Sequence, residues 1–518
     1  MTDERGLWEL VEARAHATPD AVLGVDEGGR RLDAAGFRAA AERAAAGLHA
    51  LGVRAGTAVS WMLPTWLESM VLVGALARLG AVQNPLLPIL GTREMGFITT
   101  QTAARLLVVP GTWRGRDYTA DARSLAAARP DLQVLTVDRA LPDGDPHALP
   151  PPPGASTAAR APVRWVFYTS GTTADPKGAR HTDHTVKAAA VGMLEALEVQ
   201  PSDRTAFVFP LTHIGGIVQV YTVLLTASQL LFVEAFEPRT TIPWLRHHGV
   251  TLAGAGTAFH LAYLAAQREQ PGTPIFPAVR AFPGGAAPKP PQLHYDLKAE
   301  AGGVGIVSGW GLTEAPVLSM GRPGDRDAQL AETEGSPLPG VQLRTVSSDG
   351  RTCQAGEQGE IRARAPQMML GYVDPSLTAD AFDDEGWLRT GDLGTIDQER
   401  YVRITGRLKD VVIRNGENIG TAEVEELLRG HPHVADAAVF GLPDSRTGER
   451  VCAVVEMVPT APHLDLEGVG AFLSGRGLRR QALPEQLETL DALPRTLAGK
   501  IDTRQLRERF GAAQSGSA

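Results

Sequence analysis

The segment YTSGTTADPKG, residues 168–178, follows the apolar run VRWVF and concentrates hydroxyl groups, two glycines and one lysine. Hydroxyls and the backbone N–H groups that glycine exposes can donate hydrogen bonds to phosphate, and Lys177 supplies a positive charge. The segment is not a P-loop, because six residues rather than four separate Gly171 from Gly178 and the lysine precedes the second glycine. A solvated loop after a buried strand has the same composition, so this segment alone leaves phosphate binding and an ordinary loop equally open.

Length, charge and cysteine content narrow the class of protein. A chain of 518 residues exceeds the size of one hydrophobic core, so we expect at least two domains. The net charge of −9, without a long basic run, argues against nucleic acid as a partner. The two cysteines cannot form a disulfide framework, and the polar N-terminus MTDERGLWEL is unlike a signal peptide. These features predict a cytoplasmic protein.

Periodicity along the first half of the chain predicts alternating helices and strands. A helical pattern from Asp33 alternates with short apolar runs such as AVSWML from Ala58, which favours α/β layers with parallel strands. A Pro- and Gly-rich loop, residues 142–162, leads into the strand before Tyr168, and a helix is predicted from about His184. Polar residues interrupt the long apolar stretch from Ile217, which predicts a buried helix and a strand rather than a membrane span.

The second half of the chain has a different pattern. Short alternating segments predict a β-rich region from about 336 to 407, and mixed helices and strands from Thr421 predict a compact α+β unit. The predicted fold is therefore α/β: a large N-terminal domain of α/β layers with a β-rich subdomain, and a small α+β C-terminal domain. We place these domains at 1–408 and 409–510, followed by a disordered tail at 511–518.

Five separated segments together carry a specific resemblance. They are YTSGTTADPKG at 168–178, GWGLTEA at 309–315, WLRTGDLG at 387–394, ITGRLKDVVIRNGENI at 404–419 and PRTLAGKID at 494–502. Their order and spacing resemble the AMP-forming adenylate enzymes, the superfamily of acyl-CoA synthetases, peptide-synthetase adenylation domains and luciferases, over nearly the whole chain. The resemblance implies that ATP activates a carboxylate as an acyl-adenylate, releasing pyrophosphate, and that the acyl group then passes to a thiol.

The resemblance also implies roles for individual residues in binding ATP and magnesium. A carboxylate must attack an anionic α-phosphate, so the site has to neutralise charge. The residues implied for the phosphates are Thr169, Ser170, Gly171, Thr172, Thr173, Lys177 and, at the α-phosphate, Thr313. Those implied for the rest of the nucleotide are Gly284, Gly285, Ala286, Trp310 and Gly311, with Asp392 and Arg407 at the ribose. Glu314 is implied as the Mg²⁺ ligand, because a hard oxygen suits that ion.

Each of these residues also has a plain structural interpretation. Thr313 and Glu314 have the composition of a helix N-cap followed by a first-turn acid. Trp310, at a position where the family more often has tyrosine, is also a candidate core residue. Asp392 and Arg407 could form a surface ion pair that brackets a hairpin.

The resemblance implies roles for three C-terminal residues in the two half-reactions, adenylation and thioester formation. Lys500 resembles a mobile lysine that bridges the attacking carboxylate and the α-phosphate, although lysines near a C-terminus are usually only solvated. Lys409 matches the hinge about which a mobile C-terminal domain rotates, and it is otherwise an exposed lysine between strands. In the second orientation the segment 414–419, with Gly416, would line the path of the pantetheine arm of coenzyme A.

The segment FPLTHIGGI, residues 209–217, bears on the acid. Amino-acid-activating relatives have an aspartate here that pairs with the substrate ammonium, and this chain has none, so a buried ammonium would be costly. Small neutral residues favour an apolar acyl group, and NPLLPILGTREMGF at 84–97 resembles the branch acting on short- to medium-chain or alicyclic acids. His213 either gates the acyl tunnel, as a catalytic-site residue, or fills its wall.

The sequence leaves the thiol acceptor and the assembly open. An acyl-CoA ligase is the leading hypothesis, a ligase that loads an acyl carrier protein is the alternative, and a nucleotide-binding module without turnover is a third. A phosphotransferase is disfavoured by the loop spacing. We expect a small carboxylic acid and coenzyme A as partners, no nucleic acid, no membrane span, and a monomer or homodimer.

Overall fold

The computed structural model describes residues 4–154, 156–169, 176–285, 289–408, 411–414, 417–444, 447–459, 461–476, 478, 480–496 and 499–511. The predicted tail lies outside these residues except for Gly511, which ends a helix.

The helices of the described residues fall mostly in the first 380 positions. They are α1 (Leu7–Ala17), α2 (Ala34–Ala50), α3 (Leu67–Leu79), α4 (Thr92–Gln101), α5 (Tyr118–Ala127), α6 (Asp183–Ala196), α7 (Ile214–Thr226), α8 (Pro238–His247), α9 (Thr257–Glu269), α10 (Pro291–Glu300), α11 (Asp327–Glu332), α12 (Pro375–Ala381), α13 (Thr421–Arg429), α14 (Leu466–Gly475) and α15 (Thr503–Gly511). None of these described helices combines the length and the apolar character that crossing a bilayer requires.

The strands of the same residues are short in the first half and longer in the second. They are β1 (Val22–Asp26), β2 (Arg31–Asp33), β3 (Ala58–Trp61), β4 (Val82–Pro85), β5 (Leu106–Val109), β6 (Thr112–Trp113), β7 (Arg116–Asp117), β8 (Gln133–Thr136), β9 (Trp165–Thr169), β10 (Lys177–His181), β11 (Arg204–Phe207), β12 (Gln229–Phe232), β13 (Phe282–Gly285), β14 (Ile306–Leu312), β15 (Ala315–Met320), β16 (Ser336–Pro337), β17 (Gln342–Val346), β18 (Gly359–Arg364), β19 (Leu388–Ile396), β20 (Val402–Arg407), β21 (Val411–Arg414), β22 (Glu417–Gly420), β23 (Val434–Asp444), β24 (Gly448–Met457) and β25 (Gln486–Leu490).

Contacts divide the chain into two compact units. The first comprises 1–342 and 364–388, and the second comprises 343–363 and 389–518. The predicted β-rich region, 336–407, is divided between the two units, with 343–363 and 389–407 in the second. The predicted domain boundary between 408 and 409 concerns domains that rotate as rigid bodies. Compactness alone does not define such domains, so this boundary stays a prediction.

Parallel pairing dominates the first unit, as the alternating pattern predicts. One sheet has the order β10-β9-β4-β3-β5-β8, with every neighbouring pair parallel except β9 and β10. A second has the order β11-β12-β1-β2 and a third β13-β14-β15-β16. Helices α8, α9 and α10 contribute Leu245, Tyr263 and Leu297 to a shared core with strands of the last two sheets. Strands β13 and β14 contribute Phe282 and Ile306 to the same core.

The second unit holds a four-stranded sheet of order β17-β18-β19-β20 and a five-stranded sheet built around β23 and β24. Successive residues of β23 alternate between two cores: Val439 packs with α13 and α14, while Phe440 packs with Leu506 and Phe510 of α15. Burial on both faces explains why the sequences of β23 and β24 are nearly continuous apolar runs. The predicted fold class, α/β layers with a β-rich part and a small α+β part, is confirmed.

Candidate active site

Antiparallel strands flank the phosphate-binding candidate, so it does not lead directly into a helix. Strands β9 and β10 are antiparallel, with Lys177 opposite Thr169. Helix α6 begins only at Asp183, after β10, where Thr182 caps its N-terminus. The sequence interpretation missed β10 because KGARH has no strand-like alternation, and its pairing with β9 decides its conformation. Ser170, Gly171, Thr172 and Thr173 lie outside the described residues.

Thr313 and Glu314 form a two-residue turn, which we call the Glu314 turn. Leu312 of β14 pairs with Ala315 of β15 across it. The alternative of a helix N-cap is therefore wrong, since the segment that follows is a strand. Gly311 is needed beside the turn because a Cβ atom there would lie 2.3 Å from the backbone nitrogen of Val317.

Three contacts from other parts of the first unit hold the Glu314 turn. The Nε2 atom of His181 lies 2.9 Å from the Thr313 carbonyl oxygen, and the backbone N–H of Met369 donates to the Glu314 carbonyl at 2.7 Å. The hydroxyl of Tyr372 donates to Oε1 of Glu314 at 2.6 Å. Burial lowers the pKa of His181 to about 4, so its ring is neutral and its Nε2–H donates to Thr313. The turn and its carboxylate are thus fixed from several directions.

Tyr372 also connects Glu314 to the phosphate-binding candidate. The Nζ atom of Lys177 lies 5.6 Å from the centroid of the Tyr372 ring, within the range of a cation–π contact. The structure therefore brings Lys177 to the ring, and Glu314 to the hydroxyl, of the same tyrosine side chain, although the two residues are 137 positions apart. Sequence reasoning missed Tyr372, and no local signal marks it, because its partners are set by long-range strand pairing.

Strand β13 brings two predicted glycines alongside β14. Gly284 pairs with Ser308 and Gly285 with Gly309. A Cβ atom on Gly285 would lie 2.5 Å from the Gly309 carbonyl oxygen, so the close strand approach requires glycine there. Ala286 lies outside the described residues.

Trp310 and His213 each have a structural role in the first unit. Trp310 is buried in β14 opposite Ser319. His213 caps the N-terminus of α7, where its Nδ1 accepts from the backbone N–H of Gly215 at 3.1 Å. The cap accounts for histidine at that position, and contact of either residue with a ligand stays a prediction.

Asp392 and Arg407 face each other across β19 and β20 in the second unit. Their register makes them cross-strand partners, and Nε of Arg407 lies 2.7 Å from Oδ1 of Asp392. The Asp392 side chain is only 3% exposed, whereas that of Arg407 is 44% exposed. The ion pair named as an alternative from the sequence is present, and binding of ribose by the same groups stays a prediction.

Lys500 lies in the segment 495–501 of the second unit, which we call the Lys500 loop. Arg495 and Ile501 form an antiparallel bridge at its base, and the N–H of Thr496 donates to the Lys500 carbonyl at 2.7 Å. The Arg495 guanidinium pairs with Asp436 of β23 and donates to the Gly499 carbonyl at 3.2 Å. Lys500 itself is exposed. Lys409 and Gly416 lie outside the described residues.

Comparison with known proteins decides the family. Residues 11–373 match the model of the AMP-binding enzyme family, and residues 423–500 match that of the AMP-binding enzyme C-terminal domain. The chain belongs to the AMP-binding enzyme family. The prediction of an AMP-forming acid–thiol ligase, of the acyl-CoA synthetase type, is thereby confirmed.

Similar members of the AMP-binding enzyme family span the chain at full length. A medium-chain fatty-acid–CoA ligase of Escherichia coli is 30% identical over 98% of this chain and 91% of its own. A salicyl-AMP ligase / salicyl-S-ArCP synthetase of Mycobacterium tuberculosis is 31% identical, with the same shares covered. ATP-bound MatB from Rhodopseudomonas palustris is 25% identical and superposes with a TM-score of 0.85, covering 98% of this chain and 99% of its own. The resemblance therefore covers nearly the whole chain.

The residues of this AMP-binding enzyme fit a magnesium ion held mainly by a bound nucleotide. Within the described ranges, no group of three or more His, Cys, Asp or Glu side chains could enclose a metal ion. Glu314 has one carboxylate oxygen engaged by Tyr372, so the other is the one that a hard cation would use. Mg²⁺ commonly takes one or two carboxylates together with substrate phosphates and water, so a single protein carboxylate suits it.

Proposed function

We propose that the protein is an ATP-dependent acyl-CoA ligase for short- to medium-chain or alicyclic carboxylic acids. The acid would first be adenylated with release of pyrophosphate and then transferred to coenzyme A. The observation that carries the proposal is the arrangement of Lys177, Tyr372 and Glu314, which places a cation and a hard oxygen ligand on one buried aromatic side chain. A triphosphate requires those two kinds of group close together.

The polar groups of the first unit would hold the reacting phosphates. Lys177 and the hydroxyls at 169, 170, 172 and 173 would bind the β- and γ-phosphates, and Thr313 would contact the α-phosphate. Glu314 would hold Mg²⁺, which supplies further neutralisation of phosphate charge when bound. The three contacts that fix the Glu314 turn support this role, because a preorganised group needs no rearrangement when charge develops.

The nucleoside would be bound by glycines, one aromatic ring and one carboxylate. Gly284, Gly285, Ala286 and Gly311 would let the nucleotide approach the backbone, and Trp310 would stack on adenine. Asp392 would accept hydrogen bonds from ribose hydroxyls. The contact of its buried carboxylate with Arg407 at 2.7 Å supports an oriented acceptor.

The C-terminal residues would separate the two half-reactions. Lys500 would bridge the attacking carboxylate and the α-phosphate during adenylation. Rotation about Lys409 would then bring the segment with Gly416 to the pantetheine of coenzyme A. An exposed lysine side chain has the reach that such a transient role requires.

The acyl group would be apolar, and His213 would lie at its tunnel. No acidic residue occurs in 209–217 to balance a substrate ammonium. The N-cap role of His213 fixes its ring at the start of α7, which supports a wall position more than a moving gate. The name of the Escherichia coli relative, a medium-chain fatty-acid ligase, supports the same class of acid.

A panel of carboxylic acids with ATP and coenzyme A tests this function. We expect AMP, pyrophosphate and an acyl thioester, with a far higher kcat/KM for medium-chain or alicyclic acids than for amino acids. Shortening the chain by one methylene should change kcat/KM by about 10-fold to 200-fold at most. Preferential activation of an amino acid would overturn the substrate class, and ADP as the main product would overturn the reaction.

An acyl carrier protein is the second candidate for the acceptor. The Mycobacterium tuberculosis relative is named as a synthetase that loads an aryl carrier protein, which favours keeping this candidate. A direct comparison of coenzyme A with carrier proteins bearing phosphopantetheine, using the best acid of the panel, separates the two. A higher rate with a carrier protein would replace coenzyme A as the acceptor.

A further inference from the structure

Tyr372 lies on a segment that pairs with β10. The N–H of Leu370 donates to the Arg180 carbonyl at 2.8 Å, and the N–H of Val373 donates to the Gly178 carbonyl at 2.8 Å. The side chain between these bonds is 6% exposed. Its position is therefore fixed by the same strand that carries Lys177.

The two ends of the Tyr372 side chain meet groups of opposite charge. Its hydroxyl donates to Oε1 of Glu314 at 2.6 Å, and the ammonium of Lys177 lies over its ring face at 5.6 Å from the centroid. An ammonium and a carboxylate at short range attract strongly in a partly buried site, and a direct pair would occupy both groups. A neutral aromatic residue in contact with both can keep the charges apart while stabilising each of them.

We propose that Tyr372 is a positioning residue that holds Glu314 and Lys177 at the separation required by a magnesium–triphosphate complex. The hydroxyl fixes one carboxylate oxygen of Glu314 and leaves the other for the cation, while the ring supports the Lys177 ammonium. This inference rests on the proposed function, since it presumes that Lys177 and Glu314 act on ATP.

Binding of a non-hydrolysable ATP analogue, measured by calorimetry with magnesium and with EDTA, tests the inference. Tyr372→Phe keeps the ring and removes the hydroxyl, so its dissociation constant should rise about tenfold with magnesium and stay near the wild-type value with EDTA. Tyr372→Leu removes both contacts, so binding should weaken under both conditions. Tyr118→Phe is the matched control, because its buried hydroxyl donates to the Pro88 carbonyl at 3.0 Å, and it should bind as the wild type does.

A double variant shows whether the hydroxyl acts through Glu314. If it does, adding Tyr372→Phe to Glu314→Gln should weaken magnesium-dependent binding no further than Glu314→Gln alone. Wild-type affinity of Tyr372→Phe with magnesium, or an equal loss with magnesium and with EDTA, would overturn the inference and leave the proposed function standing. A wild-type protein that binds no analogue under either condition would overturn both.

Discussion

The Glu314 turn and the Lys500 loop carry two groups of opposite charge, and the fold holds them differently. Glu314 is fixed by backbone and side-chain contacts from His181, Met369 and Tyr372, all distant in sequence. Lys500 is exposed on a loop whose base is tied to β23 through the Arg495–Asp436 ion pair. Residues 497 and 498 of that loop lie outside the described part of the chain.

The difference matches the tasks proposed for the two groups. A metal ligand works best when it is held in one place, because each rearrangement on binding costs free energy. A lysine that acts in only one of two half-reactions must reach its target and leave again, so an exposed side chain on an anchored loop suits it. The comparison predicts that the two regions respond differently to substitution and to pH.

The largest expected effect comes from a substitution in the Lys500 loop. Lys500→Ala should lower the rate of adenylate formation by about 10²-fold to 10³-fold, the scale for losing one electrostatic contact to a transition state. Pyrophosphate exchange measures this step. Thioester formation from preformed acyl-adenylate and coenzyme A should stay near the wild-type rate.

Lys409→Pro is the counterpart of that variant. Proline fixes φ and would hinder the proposed rotation, so adenylate should form normally and the thioester step should slow. If both variants lose both half-reactions equally while remaining folded, the two-orientation mechanism is wrong.

The Glu314 turn should make stability depend on pH through His181. Its folded pKa of about 4 lies below the ordinary value. The stability that the neutral His181 side chain contributes is therefore fully present above pH 6.5 and is lost as the pH falls towards 4. The loss amounts to roughly 3 kcal/mol, at 1.36 kcal/mol per pKa unit. His181→Gln should be less stable than the wild type at pH 7, and the difference should shrink or reverse by pH 5 in thermal unfolding. A difference that stays constant with pH would contradict the neutral, buried His181.

The Arg495–Asp436 ion pair at the base of the Lys500 loop should, unlike His181, have an effect that does not depend on pH. Arg495→Ala frees the loop base, and we expect adenylation to fall about tenfold, equivalent to 1.4 kcal/mol, with little change in thioester formation. Burial acts to raise the pKa of Asp436, but Arg429, Arg495 and the backbone N–H of Ala437 together outweigh it and hold the pKa below its usual value. The defect should therefore be the same from pH 6 to pH 8.

Arg504→Ala, an exposed arginine on α15, controls for the loss of one positive charge. It should adenylate at the wild-type rate. A variant at Arg495 that slows both half-reactions alike would show that the ion pair stabilises the unit as a whole rather than placing Lys500.

A second pH-dependent effect concerns Glu334 of the first unit. Burial raises its pKa to about 7, with opposing contributions from Lys289 and from a hydrogen bond with Ser308. Because the folded pKa lies above the ordinary value, its contribution to stability is full below pH 4.5 and is lost as the pH rises through 7. Glu334→Gln should gain roughly 2 kcal/mol relative to the wild type between pH 5 and pH 7.5, at 1.36 kcal/mol per pKa unit.

That slope is opposite in sign to the slope for His181→Gln. Thermal unfolding of both variants across one pH series therefore distinguishes local titration from a general change in stability. A Glu334→Gln difference that does not rise with pH would contradict a protonated Glu334 in the folded protein.

Periodicity alone predicted much of the fold. The helical pattern from Asp33 is α2, the apolar stretch from Ile217 is α7 followed by β12, and the pattern after Thr421 is α13, β23, β24 and α14. These elements bury one face or both, so the hydrophobic period records their conformation. The five segments of the family likewise predicted the enzyme class from residue identity, because charge and hydroxyl groups are required by the chemistry whatever surrounds them.

Only the tertiary structure decided the surroundings of those groups. KGARH became β10 by pairing with β9, and Thr313 with Glu314 became a hairpin turn because β15 returns along β14. Tyr372 reached Glu314 through its pairing with β10, which no pattern around residue 372 indicates. Local sequence determines a local preference, whereas contacts between distant segments depend on which strands become neighbours, and that choice is made by burial of the whole chain.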